Sequence, residues 1–366
     1  MRTTSVWNGW SGRAWLTPAG QDRNFNGQFL QEANLHQNGQ YSASGCLFGA
    51  DLLLLDMSET IRLYYSRQKR LLYTFGMIAL GVVVAGFWNY HLVDGFGRDF
   101  VAGQALGDTA ALAGSFGEKG SGFGFLFAAI AGLAATFTAC NCVAFAMLPG
   151  LACSTDGRAS RRTALKSLVA FVVPVVGIGA VYGIFIGLLG PEGIEAFNQR
   201  AVRMAQAQSV FTLIGMVMLG WGAVEMGFAR RWTESISDEW SILFSRPSTR
   251  AAMLGVLVGA FAVGRPFPVF REFLTYAATA QSPLYGAGVM MVHGLGQILV
   301  MLLLFLLLVW LAGDRLIRWS QRAPHQAELM TGMALIAGGS YFVFYWGLAF
   351  LYDIGRWGFK LGWYGG

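Results

Sequence analysis

Seven apolar runs of about 20 residues limit the possible fold of this chain more than any other feature. A run of that length crosses the hydrocarbon core of a bilayer as an α-helix. The composition agrees, because 55% of the 366 residues are hydrophobic and only 13% are charged, too few to cover a soluble protein. The sequence predicts an all-α integral membrane protein with seven transmembrane helices. Their ranges are 71–91, 123–151, 167–190, 209–229, 251–280, 285–313 and 327–352.

The basic residues predict the orientation of these helices. Of the 26 Lys and Arg residues, 18 lie in residues 1–70 or in the loops 158–166, 230–250 and 315–322. Cytoplasmic loops carry such an excess, so we expect a cytoplasmic amino terminus and an external carboxyl terminus. The net charge of +6 is explained in this way. We therefore expect membrane lipid, and no nucleic acid, as a partner.

Two of the predicted helices are interrupted. The second contains Cys140 and Cys142 before a helix-breaking pair, and the fifth is broken by Gly-Arg-Pro-Phe-Pro at residues 264–268. Broken backbone at membrane depth is tolerated only within protein or beside water, so both interruptions are candidate sites. The residues assigned to a cavity or to the broken helices are Pro149, Gly150, Gly264, Arg265, Pro266, Pro268, Arg271 and Glu272.

The two interruptions indicate an internal repeat. Each follows a helix rich in small residues, and each is followed by two more helices. We expect a six-helix inverted-repeat core, because three helices per unit make the second unit enter from the opposite face. The predicted organisation is a cytoplasmic arm and interfacial helix at 1–70, an extra first transmembrane helix and outside loop at 71–122, a first three-helix repeat at 123–250, and a second repeat with an outside tail at 251–366.

Both interruptions resemble motifs of the CcdA/DsbD family of transmembrane thiol-reductant transporters. Residues 139–149, Ala-Cys-Asn-Cys-Val-Ala-Phe-Ala-Met-Leu-Pro, are similar to the family's first motif, commonly Ser-Pro-Cys-Val-Leu-Pro. Residues 264–267, Gly-Arg-Pro-Phe, are similar to the second, commonly Gly-Trp-Thr-Pro-Cys. The resemblance covers residues 123–352. Two departures stand out: Asn141 replaces a proline, and Phe267 stands where the second cysteine is expected.

The resemblance implies that the chain passes thiol reducing equivalents across a bacterial cytoplasmic (inner) membrane, for cytochrome c maturation or disulfide reduction. It would make the chain a thiol-disulfide oxidoreductase or transporter that receives electrons from a cytoplasmic thioredoxin-like protein. Cys142 matches the family's first redox cysteine, and Cys140 or Cys153 would be the resolving thiol. Disulfide exchange needs a second sulfur within reach, which Phe267 does not supply.

Two alternatives remain open at this stage. Loss of the second cysteine favours a redox-inactive relative that acts as a structural subunit of a larger membrane electron-transfer complex. The aromatic amino-terminal arm and the Trp- and Tyr-rich carboxyl tail are typical of segments that become ordered against partners. A weaker alternative is a small-solute or metal transporter that uses the broken helices and Arg265.

The remaining ionisable residues within the apolar runs are interpreted mainly as structural. Arg271 and Glu272 form either part of a polar cavity or a buried ion pair that fixes the broken helix. Glu225 is expected to be paired near the cytoplasmic edge. His293 and His91 are possible axial ligands of haem or a chlorophyll-type pigment, but neither has a partner histidine at matching depth, so hydrogen-bonded packing is favoured. We therefore predict no cofactor and no metal site.

Overall fold

A computed structural model describes residues 68–138, 141, 161–228, 246–322 and 324–364, and within them every regular element is a helix. Five helices are long and apolar enough to cross a membrane, and a pair bent by 80° makes six if it is counted as one span. These helices identify the chain as a multi-pass membrane protein. The predicted arm and interfacial helix at 1–70 lie outside the described residues except for residues 68–70. Residues 139–160, which contain the first interruption, lie outside them except for Asn141.

The α-helices are numbered in chain order. They are α1 (Gln68–Gly86), α2 (Tyr90–Gly95), α3 (Gly103–Leu106), α4 (Thr109–Ala113), α5 (Phe116–Ala135), α6 (Arg161–Asn198), α7 (Arg200–Glu225), α8 (Pro247–Gly264), α9 (Pro268–Thr279), α10 (Pro283–Arg322), α11 (Pro324–Phe342), α12 (Phe350–Tyr352) and α13 (Trp357–Lys360). Two π-helices, Phe96–Ala102 and Val343–Ala349, continue α2 and α11.

The second predicted transmembrane helix ends much earlier than expected. The sequence predicts a helix over 123–151, but α5 begins at Phe116 and ends at Ala135. Turns close the end of α5, where the Thr138 hydroxyl donates to the Ala135 carbonyl (2.8 Å). The break therefore begins before the cysteines rather than at Pro149 and Gly150, which lie outside the described residues.

The predicted outside loop at 92–122 is largely helical. Asn89 caps α2 through the Leu92 amide, and the Asp108 carboxylate caps α4. We call residues 90–113 the connecting segment. It packs against the core at Gly97, where a β-carbon would meet the backbone of Ala134 and lie 3.5 Å from the Phe267 ring. Because residues 90–113 contain no long apolar run, hydropathy alone predicts a loop here.

The stretch 191–208, between the third and fourth predicted transmembrane helices, is also largely helical. Gly190 has a left-handed φ of 68°, which allows α6 to change direction and continue to Asn198. After Gln199 in an extended conformation, α7 begins at Arg200. The α6 helix contains Pro174, and its dihedral angles are helical there.

The fifth predicted helix is broken in the structure. The α8 helix ends at Gly264, α9 begins at Pro268, and the two axes differ by 80°. Arg265 and Phe267 have extended dihedral angles, and the prolines at 266 and 268 remove two backbone donors. We call residues 265–267 the second break. It redirects the chain, so α9 packs against α6, α5 and α4.

Four helix pairs build the bundle: α6 with α10, α8 with α6, α5 with α10, and α7 with α11. Glycines allow the backbones to approach closely in each pair. A β-carbon at Gly183 of α6 would overlap the Gly286 carbonyl of α10, and one at Gly286 would overlap the Gly183 carbonyl. Gly215 of α7 and Gly339 of α11 have the same reciprocal relation.

The carboxyl tail orders against its own chain. The Trp363 and Phe87 rings stack at 5.0 Å, the Tyr364 hydroxyl donates to the Phe87 carbonyl, and the Trp357 ring covers Gly86. The tail therefore fastens the end of α1. These contacts within the chain account for the ordered tail, so no partner protein is needed to explain it.

Candidate functional site

The second break is the best-defined candidate site in the described residues. Arg265 is 1% exposed and Phe267 is 2% exposed, so the break lies in the interior of the bundle. A β-carbon at Gly264 would lie 2.9 Å from the Val210 side chain, so this glycine brings the end of α8 against α7. The break thus joins α7, α8 and α9 at one point.

A side-chain bridge ties the two ends of this break together. The Arg271 Nε donates to the Arg265 carbonyl (2.8 Å), and its Nη2 donates to Gln206 Oε1 (3.2 Å). The Gln206 amide nitrogen in turn donates to the Val263 carbonyl. Carbonyls at a helix end otherwise lack partners, so this bridge satisfies backbone groups that α8 leaves open. The bridge stabilises the bend.

Of the two interpretations left open for Arg271 and Glu272, the structure does not contain the buried ion pair. These two described residues form no ion pair with each other, because Arg271 turns to Arg265 and Gln206. Neighbouring residues on a helix point about 100° apart, which separates their side chains. Glu272 instead lies within electrostatic reach of Arg98, and its buried Oε2 has no hydrogen-bond partner among the described residues.

The position expected for the second cysteine is occupied by a packed aromatic ring. Phe267 belongs to a buried apolar cluster that includes Phe127 and Phe270, and Gly97 of the connecting segment lies beside it. The second break is therefore filled with side chains. The described residues include no cysteine, so none of them supplies a thiol at this point.

Asp94 of α2 brings a carboxyl group close to the second break. Burial raises its pKa from an ordinary 3.8 to about 6, and the charges of Arg265, Arg98 and His91 partly oppose this shift. Arg98 itself forms an exposed ion pair with Asp99 at 2.7 Å. The connecting segment therefore contributes charge near Arg265, which the sequence pattern did not reveal.

His293 lies close enough to Arg265 of the second break to interact with its charge. Its ring sits between Phe270 and Phe273, with centroid distances of 4.8 and 5.5 Å, and the Arg265 charge reaches it. The backbone of Ala128 is nearby, but neither ring nitrogen completes a hydrogen bond of normal geometry with a described residue. His293 is packed as expected, without the predicted hydrogen bond.

His91 and Glu225, the other ionisable residues considered from the sequence, each contact neighbouring side chains. His91 is exposed and packs beside the Tyr90 and Phe359 rings. Glu225 is paired as predicted, although with Arg250 of α8 at 3.5 Å, and it also accepts from the Trp221 indole at 3.0 Å. Among the described residues, no group of three or more His, Cys, Asp or Glu could hold a metal ion.

Asn141, the residue between the two cysteines of the first motif, is described in the structure and is anchored in the interior. The buried Asn141 donates to the Ala135 carbonyl (2.9 Å) and to the Gln297 carbonyl (3.4 Å), and accepts from the Gln297 side chain (3.3 Å). Gln297 of α10 also donates to Val258 of α8, and Thr136 donates to the Gln297 carbonyl. This network links α5, α8 and α10. The predicted catalytic residues Cys140, Cys142 and Cys153 lie outside the described residues.

Sequence reasoning missed the residues that hold these sites together. Gln297 is a single polar residue within an apolar run, which is a signal that could have found it, whereas Gln206 lies close to Arg203 and Gln208 and has no such signal. Asp94 has no such signal either, because it lies in a stretch without an apolar run. Comparison of the chain with models of protein families, with characterised proteins and with solved structures gives no match.

Proposed function

We propose that this chain is an inverted-repeat membrane protein of the CcdA/DsbD type, and that it acts as a redox-inactive structural subunit of a larger membrane complex. One observation carries the proposal: the second-motif position is occupied by the buried ring of Phe267, where the family type has a cysteine. A transmembrane relay that uses one cysteine from each repeat has no second sulfur there.

The helix pairing supports the inverted repeat. A two-fold operation that exchanges the repeats maps α5 onto α8, α6 onto α10 and α7 onto α11. The same operation maps the contact between α5 and α10 onto the contact between α8 and α6. Both contacts are present in the structure. The operation also requires the α6–α10 and α7–α11 contacts to be reciprocal. The paired glycines at 183 with 286 and at 215 with 339 have this property.

The tied second break supports a structural role over a transport role. Arg271 and Gln206 hold both ends of the break, and the connecting segment packs against Phe267 through Gly97. Alternating access needs such discontinuous helices to move against the other repeat. A break fixed by buried hydrogen bonds and filled by an aromatic ring favours a rigid scaffold. The amino terminus is placed in the cytoplasm on the distribution of basic residues.

Thiol transfer remains a second candidate because of Asn141. Its hydrogen bonds to Ala135 and Gln297 hold the residue between Cys140 and Cys142 in the interior, beside both repeats. This candidate predicts a mixed disulfide between Cys142 and a cytoplasmic thioredoxin-like protein.

A single purification distinguishes the two candidates. The tagged chain and its Cys142→Ser variant are extracted from native membranes in mild detergent, alkylated before and after reduction, and run on a native gel with mass spectrometry of the bands. We expect both proteins in the same large assembly and thiols that reduction does not change. A monomeric chain, or an adduct that depends on Cys142, would refute the structural proposal.

A further inference from the structure

Two arginines face each other where α6, α7 and α9 meet, near the turn between α6 and α7. Arg271 of α9 lies within electrostatic reach of Arg203 of α7. The geometry agrees, because Arg203 and Gln206 share one face of α7, and the Gln206 side chain accepts from Arg271 Nη2 at 3.2 Å. Tyr182 of α6 is in reach of both Arg271 and Gln206. Three helices thus direct polar side chains to one place.

These side chains have hydrogen-bonding capacity that the described residues leave unused. Arg271 Nη1, Arg203 Nε and the Tyr182 hydroxyl are buried without a hydrogen-bond partner in this part of the chain. Arg271 is 3% exposed and Tyr182 is 7% exposed, so bulk water does not easily supply partners. Unsatisfied buried donors are rare, and a buried charge without a counter-charge is rarer.

No described carboxylate neutralises this arginine pair. Within the residues that the structure describes, neither Arg203 nor Arg271 forms an ion pair, and Glu272 exerts its charge on Arg98. The Phe197 ring lies 5.3 Å from the Arg271 guanidinium and adds attraction for its charge, but it does not cancel that charge. The cluster therefore has two positive charges, with a phenol and an amide beside them.

We propose that Arg203, Arg271 and Tyr182 form a binding site for an oxyanion of the phosphate class. Guanidinium groups bind such oxygens through directed pairs of N–H donors, and the phenol adds one O–H donor. Gln206 orients Arg271 for this role, because its Oε1 accepts a hydrogen bond from Arg271 Nη2. The oxyanion is either free phosphate or the headgroup of an anionic lipid. This site is independent of the proposed structural role.

The test uses the full chain purified in an uncharged detergent at low ionic strength. The variant Arg203→Gln removes one of the two charges, and Arg200→Gln is the matched control, because Arg200 is an exposed arginine on the first turn of the same helix. Thermal unfolding is measured without added anion, then with inorganic phosphate, and separately with phosphatidylglycerol or with phosphatidylcholine. Tyr182→Phe is measured in the same series.

The proposal predicts that the difference in melting temperature between Arg203→Gln and the unaltered chain changes when the anion is added. Without an anion, Arg203→Gln melts at the same temperature as the unaltered chain or higher, because the substitution relieves repulsion between two arginines. With the anion, the unaltered chain and Arg200→Gln melt higher, while Arg203→Gln binds at least about tenfold more weakly and gains little. Tyr182→Phe loses part of the gain. A purely structural arginine would lower the melting temperature in every condition.

The two sources of the oxyanion separate in the same series. A rise with phosphate alone identifies a free oxyanion, and a rise with phosphatidylglycerol but with neither phosphate nor phosphatidylcholine identifies a lipid headgroup. The proposal is overturned if neither phosphate nor phosphatidylglycerol stabilises the unaltered chain. It is equally overturned if Arg203→Gln responds to them as Arg200→Gln does.

Discussion

The reciprocal glycine contact between α6 and α10 gives a quantitative prediction. A β-carbon added at Gly183 would lie 2.5 Å from the carbonyl carbon of Gly286 and 2.8 Å from the Met290 β-carbon, where ordinary contact begins at 3.4 Å. One added at Gly286 would lie 3.0 Å from the carbonyl carbon of Gly183. Because backbone cannot turn away as a side chain can, either substitution must separate the helices by up to about 1 Å.

We expect Gly183→Ala to lower the free energy of unfolding by about 1–3 kcal/mol, the usual cost of overpacking. Gly177→Ala is the control, because Gly177 lies on an exposed face of the same helix and its β-carbon would meet nothing within 4 Å. That control should be neutral or stabilising by up to about 1 kcal/mol, since alanine favours helix. Unfolding of the detergent-solubilised protein measures both.

The double variant tests reciprocity. Once Gly183→Ala has separated α6 from α10, Gly286→Ala meets a gap that is already open, so the double variant should cost clearly less than the sum of the two single variants. Additive costs would show that the two glycines do not share one contact. A Gly183→Ala variant as stable as Gly177→Ala would refute the close approach itself.

Three further predictions concern the two breaks. Phe267→Ala should cost about 3–5 kcal/mol of unfolding free energy because it empties a buried site, whereas Phe125→Ala, at a ring 42% exposed, should cost far less. Gln297→Leu should cost about 1–3 kcal/mol because it leaves Asn141 Oδ1 without its donor; a neutral result would refute the buried network. Asp94, with its pKa raised from 3.8 to about 6, should favour the folded state below pH 4, and that contribution should be lost as the pH rises through 6. The loss is about 3 kcal/mol, it should be absent in Asp94→Asn, and equal pH profiles for the two proteins would contradict it.

Hydropathy predicted the long helices well, and it failed where short-range signals compete. The apolar runs at 167–190, 209–229, 285–313 and 327–352 all lie largely within long helices of the structure. The connecting segment was missed because its helices are short and are set by caps at Asn89 and Asp108 rather than by hydrophobicity. Helix length alone did not predict the end of α5 at Ala135, because no proline or glycine stands there.

The break at Gly264 was predictable because proline and glycine act locally on the backbone. The side-chain contacts that hold the break in place were not predictable. Arg271 and Gln206 are 65 residues apart in the chain, and only the tertiary fold brings them together. The sequence offered Glu272 as the nearer partner. Adjacent residues of a helix point apart, which is why the buried Arg271–Glu272 ion pair, one of the two interpretations left open by the sequence, does not form.

The most direct test of the structural proposal removes every thiol at once. The four cysteines, Cys46, Cys140, Cys142 and Cys153, are replaced with alanine, and the chain is expressed in a host strain that lacks the native copy. The amount of the large membrane assembly that co-purifies with the cysteine-free chain is then measured against that of the unaltered chain. We predict equal amounts and a functional assembly. A cysteine-free chain that assembles normally but leaves extracytoplasmic thiols oxidised would contradict the proposal and establish thiol transfer.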